Sequence, residues 1–237
     1  MTGFALMGFG PNGWGGAMVA AAGMTLLVAV LGFFAGAVIG AGVAAAKLSR
    51  SLPARALADA YTTVLRGIPD LLVIYLFYFG GSAALTAVAR LFGASGFVGV
   101  PALATGALAL GIVSGAYQAE VLRGAYLALP RGEVEAGLAD GMSRPLLFRR
   151  IVAPQVLRYA VPGLGNVWQL VLKESALISV VGLVELLRQS QIGSGSTREP
   201  FPFFITAAAL YLVITTASTF GFGRLEAWTL RGVRRAG

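Results

Sequence analysis

Long apolar runs separated by short basic segments set the layout of this chain. Residues 1–46 carry no charged side chain, and 17–46 is apolar for long enough to form a helix across a hydrocarbon core of about 30 Å at about 1.5 Å per residue. Further runs at 59–81, 101–122, 159–184 and 201–223 repeat the pattern. An all-α, polytopic membrane protein of about five transmembrane helices is predicted. Residues 1–16 are then a short external N-terminal segment, 123–157 a long loop between the third and fourth spans, and 226–237 a basic tail. In the first span Gly32, Gly36 and Gly40 recur every fourth position, a stripe along which another helix can approach closely.

Charge turns this layout into an orientation. Lys47, Arg50, Arg55, Arg123, Arg131, Arg144, Arg149, Arg150, Arg158, Arg224, Arg231, Arg234 and Arg235 all fall on one side, whereas the other side holds only Arg90, Arg188 and Arg198. Basic residues in short loops stay in the cytoplasm, so the N-terminus is expected outside and both the 123–157 loop and the C-terminus inside. Lys47 is the first basic residue, so no basic n-region precedes the first span and that span is expected to be retained.

Composition narrows the function classes. Hydrophobic residues make up 57% of the 237 and charged residues 12%, with mean hydropathy +0.80, which is the membrane class. The net charge of +8 sits in short runs without a polar domain, so no nucleic-acid partner is expected. Cysteine and histidine are absent, which removes disulfides, thiolate chemistry and histidine-based metal sites. No metal, cofactor or catalytic residue is expected. No Gly-x4-Gly-Lys-Ser/Thr phosphate loop is present, so nucleotide is expected to bind to a partner.

The 123–157 loop predicts two short helices meeting near Gly141 to Pro145, exposing Leu138, Met142 and Phe148 with Arg144, Arg149 and Arg150 at the rim. Such an element fits a groove on a soluble partner; acidic lipid headgroups are the alternative. Within it stand Glu135-Ala136-Gly137, three residues, Gly141, nine residues, and Ile151-Val152-Ala153-Pro154. This spacing resembles the EAA loop of permeases of ATP-binding-cassette (ABC) importers, with Gly137 in place of the last Ala and Ala153 in place of a Leu. Fixed spacing favours the protein partner over lipid.

Further stretches narrow the resemblance to the polar amino acid permeases. They are Thr62-Thr63-Val64-Leu65-Arg66-Gly67-Ile68-Pro69-Asp70-Leu71-Leu72, Tyr117-Gln118-Ala119-Glu120-Val121-Leu122-Arg123-Gly124-Ala125, Tyr159 to Gln169, Leu172 to Ser179, and Gly195 to Phe201. The resemblance implies a type I importer in the bacterial cytoplasmic (inner) membrane. Its parts would be a permease pair, a dimer of ATP-binding subunits that hydrolyse ATP, and an extracytoplasmic solute-binding protein. Glu135, Ala136, Gly137, Gly141, Ile151 and Pro154 would carry ATPase coupling. The Pro69-Asp70-Leu71 form of the second-span signature implies pairing with a second, related permease, a heterodimer before a homodimer.

Charges within the spans are costly, about 2.5–3.5 kcal/mol each near the bilayer centre. Arg66 and Asp70 are four apart and are expected to pair structurally along one helix face; Glu120 is expected to meet Arg123 or a basic residue of the loop. Lys173 and Glu174 lie deep in the fourth span and point about 100° apart. An amino acid with a cationic side chain offers a carboxylate to one and a cation to the other, and Ser175, Ser179 and Asn166 could add hydrogen bonds. Pairing of these two charges across a subunit interface is the structural alternative. A neutral residue commonly stands at the Glu174 position in relatives of other specificity, so the resemblance inclines toward arginine, ornithine, lysine, histidine or an opine. A glutamine-type permease, an ion-coupled secondary transporter and a membrane anchor are the rival readings. The polar stretch Glu185 to Pro200, with Arg188, Gln189, Gln191, Arg198 and Glu199, is expected to face outward as a docking surface or a plain exposed loop.

Overall fold

The computed structural model describes residues 3–93, 96 and 99–229. The expectations for residues 1–2 and for the tail from 230 onward, with Arg231, Arg234 and Arg235, lie outside the described residues. The fold is all-helical, with no strand among the described residues. After a short 3-10 turn, Gly3–Met7, come α1 (Gly15–Leu48), α2 (Leu52–Gly67), α3 (Asp70–Leu91) and α4 (Ala102–Leu127). Two short helices follow, α5 (Arg131–Ala139) and α6 (Arg144–Leu147). A π turn at Phe148–Val152 then leads into α7 (Ala153–Glu174), which is followed by α8 (Leu186–Thr197) and α9 (Pro200–Thr229).

Among the described residues four helices, α1, α3, α4 and α9, are long and apolar enough to cross a membrane. The expected fourth span, 159–184, is the more polar α7 up to Glu174, a 3-10 turn at Ser175–Val181, and Gly182 in the left-handed region at φ 91°. The helix count is thus close to the expected five.

The second span departs from its expectation. Ser51 caps α2 by accepting a hydrogen bond from the Ala54 amide at 3.4 Å. The helix stops at Gly67, because Ile68 (φ −105°, ψ 150°) and Pro69 (φ −61°, ψ 133°) are extended. A residue preceding proline is pushed out of the helical region, and proline itself cannot donate to the turn before it. The continuous span 59–81 is therefore two helices, and the membrane-length piece begins at Asp70. Further along α3 a π turn at Leu76–Gly80 interrupts the α-helix, and Val73, Ile74, Ser82 and Thr86 are its buried residues.

The most extensive packing is α1 along α4. A Cβ added to Gly32 would sit 2.7 Å from the Leu110 Cβ, one on Gly40 would sit 2.9 Å from the Gln118 Cβ, and one on Gly36 would overlap the Ser114 hydroxyl. From the other side, a Cβ on Gly111 would sit 2.7 Å from the Ala35 Cβ. The glycine stripe is thus met by a second one, and the close approach lets α4 donate across the seam: the Ser114 hydroxyl to the Gly32 carbonyl (3.3 Å) and the Gln118 amide to the Phe33 carbonyl (3.0 Å). Val28, Ala29, Ile74, Leu110, Val171 and Ile178 form the core beneath this seam, and Phe33 meets Trp168 edge-on at 5.4 Å.

Candidate functional site

The break between α2 and α3 gives two charged residues separate positions. Arg66 ends in the last turn of α2 and Asp70 begins the first turn of α3. They form no ion pair with each other among the described residues, which corrects the expected helical pair; the extended residues Ile68 and Pro69 destroy the four-residue register it needs. Asp70 instead lies near the Glu174 carboxyl. Glu174 is buried at the end of α7, and its Oε2 has no hydrogen-bond partner among the described residues. The Arg66 guanidinium carbon lies 5.5 Å from the centre of the Tyr117 ring, and Tyr117 of α4 feels the charges of Asp70, Glu174 and Arg66 together. Tyr117 thus stands between the guanidinium on one side of the break and the carboxyls on the other.

Next to it opens a polar cavity of about 530 Å³ lined by Lys47, Thr62, Thr63, Arg66, Gly67, Tyr117 and Glu120. Two of its lining residues, Lys47 and Glu120, belong to an ion cluster. The Lys47 ammonium bridges Asp59 at 3.0 Å and Glu120, and Glu120 also binds Arg123 at 2.9 Å. Lys47 was not singled out from the sequence as a site residue, although its place as the first charge after a long neutral run was visible. Glu120 has the expected partner Arg123 and, in addition, the α1 lysine.

Lys173 and Glu174 part company in the fold. Glu174 turns inward, whereas Lys173 is exposed and makes no ion pair among the described residues. The roughly 100° between neighbouring helical positions is the cause. Ser175 is buried and donates to the Leu172 carbonyl of its own chain turn at 2.7 Å; Ser179 is also buried. Asn166 is exposed and lines a different cavity of about 290 Å³ with Gln169, Thr219 and Glu226. The structure thus brings together Glu174, Asp70, Arg66 and Tyr117, and leaves Lys173 and Asn166 apart from them.

The loop after α4 is shaped by glycine. The Gly141 amide donates to the Leu138 carbonyl at 3.0 Å and the Met142 amide to the Gly137 carbonyl at 3.0 Å, the pair of bonds that closes a helix when the next residue is left-handed. Gly141 supplies that conformation at φ 75°. A Cβ on Gly137 would lie 2.6 Å from the Leu147 Cδ1 and 2.8 Å from the Ile151 Cδ1, so glycine there lets the residues after the turn close onto α5. Glu135, Ala136 and Pro154 are exposed and Ile151 half-buried. Leu138 and Phe148 are exposed and Met142 is half-buried, leaving an apolar outer face beside Arg144, Arg149 and Arg150.

At the opposite end, Glu185 corrects its expected place on an outward surface. It is fully buried and caps α8, accepting from the Leu187 and Arg188 amides at 2.9 and 2.8 Å. The Tyr211 hydroxyl of α9 donates to it at 3.1 Å, and that of Thr25 of α1 at 3.4 Å. Arg188, Gln191 and Arg198 remain exposed.

Carboxyls buried at membrane depth are costly to keep in a bundle that has only to hold together, and they mark paths for polar solutes. The fold and this interior describe a membrane subunit that conducts a solute. The chain belongs to the family of binding-protein-dependent transport system inner membrane components, whose profile matches residues 36–230. It is 63% identical over 230 residues to the octopine transport system permease protein OccQ of Rhizobium meliloti, covering 97% of each chain. It is 38% identical over 224 residues to the histidine/lysine/arginine/ornithine transport system permease protein HisQ of Escherichia coli, covering 94% of this chain and 98% of that one. Among solved structures, an amino acid ABC transporter crystallised with histidines matches with a TM-score of 0.76 at 32% identity, covering 90% of this chain and 94% of that one. The chain is accordingly a multi-pass permease of an ABC importer, a system that also comprises ATP-binding subunits and a solute-binding protein.

Proposed function

We propose that this permease forms one side of the path for a cationic amino acid or an opine, and that Asp70 and Glu174 receive the cationic group. The observation that carries the reading is the buried Glu174 carboxyl, one oxygen of which has no partner among the described residues, with the half-buried Asp70 carboxylate near it. Two such groups in a poorly solvated site repel each other, and a guanidinium or ammonium between them relieves the repulsion while satisfying their free lone pairs. The names of the relatives, octopine and histidine/lysine/arginine/ornithine permeases, point the same way.

ATP is hydrolysed by the partner subunits and not by this chain. They engage the apolar outer face around Gly141, with the N-terminus outside and the coupling loop and C-terminus in the cytoplasm. A second, homologous permease completes the path as a heterodimer. Exposed Lys173 then faces that permease or the path between the two, since an unpaired ammonium is not stable against lipid.

The test is uptake of labelled arginine by proteoliposomes holding the full complex, the binding protein and internal ATP. Wild type is compared with Glu174→Gln and Asp70→Asn, with unlabelled glutamine as competitor. Loss of one charge-assisted contact lowers uptake at sub-saturating arginine about tenfold or more, and glutamine does not compete. Uptake intact in both variants, or competition by glutamine, would show the cationic assignment to be wrong.

A further inference from the structure

We infer that Arg66 binds the α-carboxylate of the solute, so that the solute lies with its cation on Asp70 and Glu174 and its carboxylate toward the coupling-helix end of the bundle. This rests on the reading of Asp70 and Glu174 as the cation site.

Most charges around the cavity are already committed. Lys47 is held by Asp59 and Glu120, and Glu120 is shared between Lys47 and Arg123. Arg66 lines the same cavity and makes no ion pair among the described residues. It is the one cation of that lining not neutralised by a carboxylate. The Tyr117 ring, its centre 5.5 Å from the guanidinium carbon, attracts the cation through its face, a contact that does not use the N–H groups with which a guanidinium binds a carboxylate in two parallel hydrogen bonds.

Position supplies the direction. Arg66 and Asp70 stand on either side of the Ile68–Pro69 break, a separation on the order of 10 Å given the reach of four residues. A molecule with a carboxylate at one end and a cation at the end of its side chain can bridge that distance. The cavity beyond Arg66 reaches Lys47 and Glu120, near the end of α4, from which the chain enters the coupling helices. The solute then leaves carboxylate first, passing an ion cluster whose charges are already matched and which offers it no deep trap.

Equilibrium binding of labelled arginine and of agmatine, its decarboxylated counterpart, to the assembled complex in nanodiscs without binding protein or ATP tests this. Wild type is expected to bind arginine about tenfold or more tightly than agmatine. In Arg66→Gln arginine affinity falls to the agmatine level while agmatine affinity is unchanged. Arg66→Lys, which keeps the charge and loses the planar fork, loses part of the preference. Equal weakening of both ligands in Arg66→Gln would make the residue a scaffold, and full preference in either variant, or no preference in wild type, would equally overturn the inference. Asp70→Asn and Glu174→Gln report on the other reading: they weaken both ligands alike if the carboxyls hold the cation, and leave both unchanged if they do not.

Discussion

Replacing Gly32 by alanine tests the packing that holds the path in place. The new Cβ would lie 2.7 Å from the Leu110 Cβ and 3.5 Å from the Ala107 carbonyl oxygen. Carbon atoms rest at about 3.5–4.0 Å, and a Cβ cannot swing aside, so α1 and α4 must part by about 1 Å. A gap of that size forfeits about a quarter to a half of each dispersion contact it opens. Overpacking of this kind costs roughly 1–3 kcal/mol. The bonds from Ser114 to Gly32 and from Gln118 to Phe33 lengthen as well, at about 0.6 kcal/mol each inside a membrane. Alanine returns about 1 kcal/mol through helix propensity, leaving a net loss of roughly 1–3 kcal/mol. The assay is the Tm of the detergent-solubilised complex, followed by loss of the monodisperse peak on size exclusion. A fall of about 2–10 °C is expected for Gly32→Ala. Gly42→Ala, whose Cβ meets no atom within 4 Å on the exposed side of the same helix, should leave Tm unchanged or raise it. Equal Tm for the two variants would refute the close-packing argument.

Two further substitutions probe the coupling end. At Gly141, held at φ 75°, alanine costs about 1–2 kcal/mol for its left-handed backbone while asparagine tolerates it better; ATPase activity stimulated by binding protein should fall in the order Gly, Asn, Ala, and equal activity in all three would separate this turn from coupling. Lys47→Met leaves Glu120 with Arg123 alone, while Asp59, 65% exposed, returns to water. The expected loss is about 1–3 kcal/mol, below the usual cost of breaking a fully buried pair, and an unchanged Tm of the complex would show the cluster to be dispensable.

Most of the architecture was legible because its signals are local. Apolar runs bounded by basic segments marked the helices, and the four-residue glycine spacing marked the face of α1 that meets α4. The spacing from Glu135 to Pro154 contained its own turn, with Gly141 at the one left-handed position. The candidate solute site was less legible because its partners meet only in the fold. Lys173 and Glu174 look like a pair in the sequence, yet the helix turns them apart, and Arg66 and Asp70 lose their register to Pro69. The nearness of Asp70 to Glu174 joins the start of α3 to the end of α7, which no local spacing encodes. Glu185 read as surface because a lone carboxylate beside polar residues usually is; only the arrival of Tyr211 and Thr25 from two other helices makes its burial tolerable.

The π turn at Leu76–Gly80 bears on how chains of this fold can vary in length. From Ile74 to Ser82 an unbroken α-helix would rotate about 800°, leaving the two side chains about 80° out of line. The wider turn absorbs about one residue's rotation and returns Ser82 and Thr86 to the buried side. Removing one residue between Leu76 and Gly80 would yield a regular α-helix with the same inward face. A one-residue deletion, which in a regular membrane helix shifts every contact downstream, is absorbed at this turn.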